Sequence, residues 1–170
     1  ANAASVVADY PILKLKLGGD GDLDRVKAVR AAAKKSRLIV DANESWTVQH
    51  YEDFSEKFLS LGVELIEQPF PAQADFQLSE LPHPIPICAD ESCHDRSNLS
   101  QINGKYDFIN IKLDKAGGLT ESLALLREAK KLNLGVMIGC MLGTSLAMAP
   151  AMLLCVDAVS YTHLRAHETD

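Results

Sequence analysis

Five charged residues stand at or just beyond the ends of apolar segments, at intervals of 22 to 26 residues. They are Lys16, Asp41, Glu67, Asp90 and Lys112. Carboxylates that lie close together repel one another unless a cation neutralises them. An all-oxygen set of three suits Mg²⁺, with Mn²⁺ as an alternative. The spacing therefore predicts a metal site, against the alternative that each carboxylate is separately a helix cap or a surface charge.

Two lysines in the segment ILKLKL, residues 12–17, share one face of a predicted strand. Lysines that point into a protein interior need anionic partners, and Lys112 would add a third cation. Desolvation and neighbouring positive charge lower the pKa of a lysine toward neutrality, which suits proton transfer. The alternative is that Lys14 and Lys16 reach solvent from an edge strand.

Apolar segments alternate with helical patterns along the whole chain. Six strands are predicted, each followed by a helix: 12–17, 37–43, 63–69, 85–92, 106–114 and 135–142. This alternation is typical of an α/β fold with a parallel sheet. A barrel collects one residue from each strand end on a single rim, whereas a doubly wound sheet gathers ligands at one switch point. Five charges in phase with five strands therefore favour a barrel.

Composition excludes several classes of function. A net charge of −6 provides no basic surface for nucleic acid. No apolar run approaches the roughly 20 residues that span a membrane. The four cysteines lack metal-finger spacing, which indicates reduced thiols and a cytoplasmic protein.

Five motifs resemble the barrel of the enolase superfamily, in its muconate-lactonizing-enzyme branch. They are LKLKLGG, IVDANESW, LIEQPF, CADES and INIKLDKAGGLTES, in order between about residues 10 and 157. The resemblance implies a partial (β/α)8 TIM-like barrel with about six of eight strands, in which the N-terminal capping domain is absent. We expect residues 1–158 to be a fragment of the barrel domain that is inactive or barely active alone. The tail 159–170 lacks strand alternation and is expected to be non-native.

The resemblance also implies a role for each charged residue. Asp41, Glu67 and Asp90 would bind one Mg²⁺ that holds a substrate carboxylate. Lys16 and Lys112 would exchange a proton with opposite faces of the α-carbon, through an enediolate.

Further residues are implied to support this chemistry. Lys14 would contact the substrate and neutralise its carboxylate. Asn43 and Glu91, which lie beside predicted ligands, would support them. Cys140 and Leu142 would share a face of the predicted sixth strand and border the substrate, although Cys140 could equally fill the core.

The segment IGCMLGTSLAMAP is similar to dipeptide epimerases of the L-Ala-D/L-Glu type. That resemblance implies a dipeptide substrate and a whole protein that forms a homo-oligomer. An Asp-x-Asp pair expected on an eighth strand is absent. An o-succinylbenzoate synthase, an N-succinylamino acid racemase and a catalytically silent barrel remain alternatives, and Asp114 and Lys115 have no predicted role.

Overall fold

The computed structural model describes residues 9–156 and 161–162. The chain divides into two compact units, Ala1–Ile87 and Cys88–Asp170. Each unit alternates parallel strands with helices. Within the described residues, no helix is both long and apolar enough to cross a membrane.

Three parallel strands form the sheet of the first unit: β1 (Ile12–Lys16), β2 (Arg37–Asp41) and β3 (Val63–Glu67). Helix α1 (Asp22–Ala32) joins β1 to β2, and α2 (Val48–Ser60) joins β2 to β3. Thr47 caps α2 by accepting from the His50 amide, and Gly62 after the helix has a φ of +73°. These boundaries confirm the first three predicted strands and both helices. The segment predicted as a short helix after β3 is the 3₁₀ helix Asp75–Glu80.

A β-bulge in β3 shifts its register against β2 by one residue. Leu38 pairs with Val63, but Ile39 pairs with Leu65, so Glu64 is an extra residue in β3. Asp41 therefore pairs with Glu67 rather than with the apolar residue before it. Because side chains alternate between the two faces of a strand, the bulge is what places Glu67 on the same face as Asp41.

The second unit continues the alternation of strands and helices. Its strands are β4 (Ile87–Ala89, which begins at the last residue of the first unit), β5 (Phe108–Ile111), β6 (Gly135–Ile138) and β7 (Tyr161–Thr162). β4 pairs with β5, β5 with β6 and β6 with β7, all in parallel. Its helices are α3 (Leu99–Ile102), α4 (Leu113–Ala116), α5 (Leu119–Lys131), α6 (Ser145–Met148) and α7 (Met152–Cys155).

Three sequence predictions differ from the second unit. The polar helix near residues 95–103 is a 3₁₀ turn, Arg96–Asn98, followed by one turn of α-helix. The long apolar helix of residues 144–156 breaks into α6, a 3₁₀ turn around Pro150, and α7, because proline lacks an amide donor and clashes with the preceding turn. The tail contributes the short strand β7, which was not predicted; residues 157–160 and 163–170 lie outside the described residues.

Candidate active site

The carboxyl ends of the first three strands bring charged residues into one row. The register pairs Lys16 with Asp41, and Asp41 with Glu67. The side chains of Asp41 and Glu67 have no solvent-exposed surface. Burying two carboxylates costs free energy unless cations offset their charge. The structure therefore confirms that these three predicted residues are strand-end neighbours.

Two lysines supply the positive charge in the first unit. Lys14 Nζ lies 2.9 Å from Asp41 Oδ2 and 2.5 Å from Glu67 Oε2, and its side chain is 6% exposed. Lys16 Nζ lies 2.6 Å from Asp41 Oδ2, but its side chain is 64% exposed. Burial acts to lower the pKa of Lys14, and the charges of Glu67 and Asp41 outweigh it, so this pKa is raised above its ordinary value. Lys14 is thus a buried cation, whereas Lys16 extends toward solvent.

The loops after β2 and β3 adopt backbone conformations that are rare for non-glycine residues. Asn43, Glu44 and Gln68 have positive φ angles of 43°, 64° and 36°. The Glu44 amide donates to the Gln68 carbonyl at 2.9 Å, which joins the two loops. The backbone amide of Asn43 donates to Asp41 Oδ1 at 3.0 Å. The side-chain Oδ1 of Asn43 accepts from Lys16 Nζ at 2.7 Å. Such strain clusters at functional sites, and Asn43 contacts the residues that it was predicted to support.

Asp90 is the centre of the corresponding cluster in the second unit. It follows β4, and its side chain is 3% exposed. Lys112 Nζ lies 2.6 Å from Asp90 Oδ2, and Lys115 Nζ lies 2.6 Å from Asp90 Oδ1. Burial acts to raise the pKa of Asp90, but the charges of Lys115 and Lys112 outweigh it and lower that pKa to about 2. Asp90 is therefore an ionised carboxylate held on both oxygens.

Lys115 is a residue of this cluster that sequence reasoning missed. Besides the Asp90 carboxylate, its ammonium group donates to three backbone carbonyls, those of Asp90 (2.6 Å), Cys93 (2.9 Å) and Asn110 (3.2 Å). Lys115 thereby ties the loop after β4 to the end of β5. Its spacing of three from Lys112, on the short helix α4, was the available signal, but that spacing alone names no partner.

The structure contradicts the predicted strand position of the two proposed substrate contacts. β6 ends at Ile138, so Cys140 and Leu142 follow the strand instead of sharing one of its faces. The Gly139 amide after β6 still donates to the Ile111 carbonyl at 3.0 Å, and a Cβ at Gly139 would lie 2.5 Å from Asn110 Oδ1. Cys140 is half-buried and Leu142 is 80% exposed.

A small cleft nevertheless brings these two residues together. Cys140 and Leu142 line it with Asp114, the second residue of α4, and with Met148 of α6. Glu91, the other predicted supporting residue, is half-buried directly after Asp90. The cleft joins a carboxylate to apolar surface within the second unit.

The predicted Mg²⁺ site depends on three carboxylates, Asp41, Glu67 and Asp90. Taken singly, neither unit holds, among its described residues, a cluster of three His, Cys, Asp or Glu side chains that could bind a metal. The first unit contributes two buried carboxylates, Asp41 and Glu67, and the second contributes Asp90. All three are carboxylate oxygen donors, the ligand type that Mg²⁺ takes, and in this structure each is paired with a lysine. The chemistry of these donors fits Mg²⁺, and a site that combines all three stays a prediction.

Comparison with known proteins gives the following similarities. The sequence profile of the family described as Enolase C-terminal domain-like matches residues 1–170. The chain is 48% identical over 166 residues to the L-Ala-D/L-Glu epimerase of Escherichia coli K12, an alignment that covers 96% of this chain and 51% of that protein. It is also 48% identical over 148 residues to an N-acetyl-D-glutamate racemase of a Pseudoalteromonas species, covering 87% of this chain and 47% of the racemase.

A solved structure shows the same fold. The dipeptide epimerase from Cytophaga hutchinsonii, complexed with Mg and the dipeptide D-Ala-L-Val, matches with a TM-score of 0.92 at 25% identity. The match covers 99% of this chain and 50% of that chain. The chain thus spans about half the length of the relatives that it matches.

Proposed function

The chain belongs to the Enolase C-terminal domain-like family, and from that premise we propose that the whole protein is a Mg²⁺-dependent dipeptide epimerase of the L-Ala-D/L-Glu type. Membership confirms the resemblance identified from the five motifs. The α/β fold class, part of a TIM-like barrel with about six of eight strands, is confirmed by the structural match. One observation carries the proposal: Lys14 bridges two fully buried carboxylates, Asp41 and Glu67, in register at neighbouring strand ends.

The proposed roles follow from exposure and contacts. Lys16 suits proton transfer because its ammonium group is paired with the Asp41 carboxylate while most of its side chain is exposed, so that a ligand can reach it. Lys112, held on Asp90, is the proposed second acid/base. Lys14 would neutralise the substrate carboxylate, because it is a buried cation at the same strand ends. One lysine would remove the α-proton and the other would return a proton to the opposite face of the enediolate.

Asp41, Glu67 and Asp90 would hold Mg²⁺, or Mn²⁺ in its place. When bound, the ion supplies a Lewis acid that makes an α-proton beside a carboxylate acidic enough to remove. Asn43 would keep Asp41 and Lys16 oriented, since it contacts both. Glu91 would support Asp90 as its chain neighbour. The cleft of Cys140, Leu142 and Asp114 would border the substrate.

Three wider expectations are also part of the proposal. The substrate is a small dipeptide, supported by the dipeptide bound to the structurally similar epimerase. A cytoplasmic location, expected from the spacing of the four cysteines in the sequence, stays a prediction. The whole protein assembles as a homo-oligomer, which stays a prediction.

The proposal is tested by incubating the whole protein with Mg²⁺ and either L-Ala-L-Glu or L-Ala-D-Glu in D₂O. NMR would follow loss of the α-proton of the second residue, which detects slow turnover. We expect exchange with both epimers and conversion between them. Lys16→Ala and Lys112→Ala should each lower conversion by about 10²- to 10⁴-fold, the range of general acid–base catalysis. Lys27→Ala, at an exposed lysine on α1, is the matched control and should change nothing.

The alternatives give different results in the same assay. A synthase would release a dehydrated product from a hydroxylated substrate without epimerising dipeptides. An N-succinylamino acid racemase would exchange N-acylated amino acids faster than dipeptides, and the similar N-acetyl-D-glutamate racemase makes this the second candidate. If the chain binds Mg²⁺ yet neither lysine variant alters any exchange, a catalytically silent barrel is the better description.

A further inference from the structure

One buried carboxylate of the first unit has no role in the proposed reaction. Asp22, the first residue of α1, has no exposed surface, and its two oxygens contact four partners. It accepts from the Gly18 amide (3.1 Å), the Gly19 amide (2.7 Å) and Trp46 Nε1 (2.9 Å), and Arg25 Nη1 lies 2.6 Å away. We propose that Asp22 is a positioning residue that holds Lys16 against Asp41 for proton transfer.

The contacts of Asp22 join the loops that follow two neighbouring strands. Gly18 and Gly19 follow β1, whose last residue is Lys16, after one intervening residue, Leu17. Trp46 lies in the loop after β2, whose last residue is Asp41. Asp22 thus links the loop after β1 to the loop after β2. The last residues of these two strands are Lys16 and Asp41, whose Nζ and Oδ2 atoms lie 2.6 Å apart.

A carboxylate suits this position better than any neutral side chain. Four donors converge on two oxygens, and an amide offers one acceptor while adding two donors. The residue before α1 is Gly21, which has no side chain to cap the helix, so Asp22 also places negative charge at the helix N-terminus. Position 19 favours glycine, because the φ of Gly19 is +104° and an added Cβ would lie 3.2 Å from His50 Cε1.

The test uses Asp22→Asn in the full chain, which keeps the shape of the side chain. Mass spectrometry would measure the rate at which Lys16 is acetylated by a limiting reagent, relative to Lys14 in the same strand. Hydrogen exchange would follow the Gly18 and Gly19 amides. Trp46 is the chain's one tryptophan, so quenching of its fluorescence by acrylamide reports the third contact.

We expect the two glycine amides to exchange roughly ten- to a hundredfold faster in Asp22→Asn, the equivalent of losing a hydrogen bond to a charged group. Lys16 acetylation should rise several-fold while that of Lys14 stays unchanged. Asp24→Asn, at an exposed carboxylate of the same helix, should alter none of these rates. Arg25→Ala removes only the exposed partner of Asp22 and should leave Lys16 as in the wild type.

Two results would overturn the inference. If the glycine amides exchange faster but Lys16 acetylation is unchanged, Asp22 stabilises the loop without positioning the lysine. If Lys14 and Lys16 become reactive together, the variant is loosened as a whole and the specific role is wrong.

A catalytic readout follows if the wild type exchanges α-protons, and this step rests on the proposed function. Lys16 and Lys112 are assigned opposite faces, so Asp22→Asn should slow exchange from one epimer at least tenfold and spare the other. A loss of stability alone would slow both equally. The labelling experiment needs no substrate, so an inactive whole protein would refute the proposed function while the positioning of Lys16 is still decided on the chain.

Discussion

Replacing Lys115 with methionine should destabilise the chain far more than the same change at a surface lysine. The side chain of Lys115 is 13% exposed, and its ammonium group contacts one carboxylate oxygen and three backbone carbonyls. Removing one partner from a buried ion pair costs about 3–5 kcal/mol. Lys112 still contacts the other oxygen of Asp90, so the carboxylate keeps one cation. We therefore expect a loss near the lower limit, about 3 kcal/mol.

Thermal unfolding followed by circular dichroism would measure this loss. For a chain of this size, about 3 kcal/mol lowers the Tm by roughly 6–12 °C. The matched control is Lys131→Met, because Lys131 lies 2.8 Å from Glu128 in a pair whose side chains are 69% and 42% exposed. Exposed pairs contribute at most about 1 kcal/mol. If the two variants unfold at the same temperature, Lys115 does not tie the loop after β4 in the way that its contacts indicate.

Three further predictions concern other parts of the chain. Arg30→Ala should destabilise by about 2 kcal/mol in urea unfolding, because this guanidinium donates to five carbonyls at the ends of α1 and α2. Cys93 should resist alkylation at pH 8, since burial raises the pKa of its thiol to about 11. The neutral thiol is the form that the fold favours, so the stability it contributes is lost as the pH rises from about 9 toward 11. Gly139→Ala should cost about 1–3 kcal/mol, because the new methyl group would meet Asn110.

Each of these predictions has a control in the chain. Lys27→Ala, on the exposed side of α1, should leave stability within about 0.5 kcal/mol of the wild type. Cys155 is half-buried and should be alkylated before Cys93; the reverse order would contradict the burial argument. Gly143→Ala places its Cβ 3.5 Å from Ala147, an ordinary contact, so a cost equal to that of Gly139→Ala would show that packing against Asn110 is unimportant.

The strand-end residues could be predicted because two local patterns coincide at each of them. An apolar run with Ile, Val and Leu identifies a buried strand, and a charge at its end stands out against it. This reasoning placed Asp41 and Glu67 at the ends of β2 and β3, where the structure has them. It also placed Lys14 and Lys16 on one face, where both contact Asp41.

Contacts between residues that are distant in the sequence could not be predicted, because they depend on the tertiary fold. Lys115 meets oxygens that lie 5 to 25 residues away, and no local spacing identifies them. Asp22 looked like an ordinary acidic residue in the first turn of a helix, although it is fully buried. The prediction that Cys140 and Leu142 belong to the sixth strand was wrong, because the apolar run in the sequence continues past Ile138 although β6 ends there.

The bulge at Glu64 decides which side chains of β3 share a face with Asp41. Asp41 and Glu67 are 26 positions apart and share a face only because one residue of β3 goes unpaired. Any substitution at Glu64 leaves that count intact, and deleting the residue would remove the bulge while Asp41 still pairs with Glu67, because Val63 would then lead directly to Leu65. The change that would separate the two carboxylates is pairing Glu64 with Ile39, because each later residue of β3 would then shift by one and Ile66 would pair with Asp41.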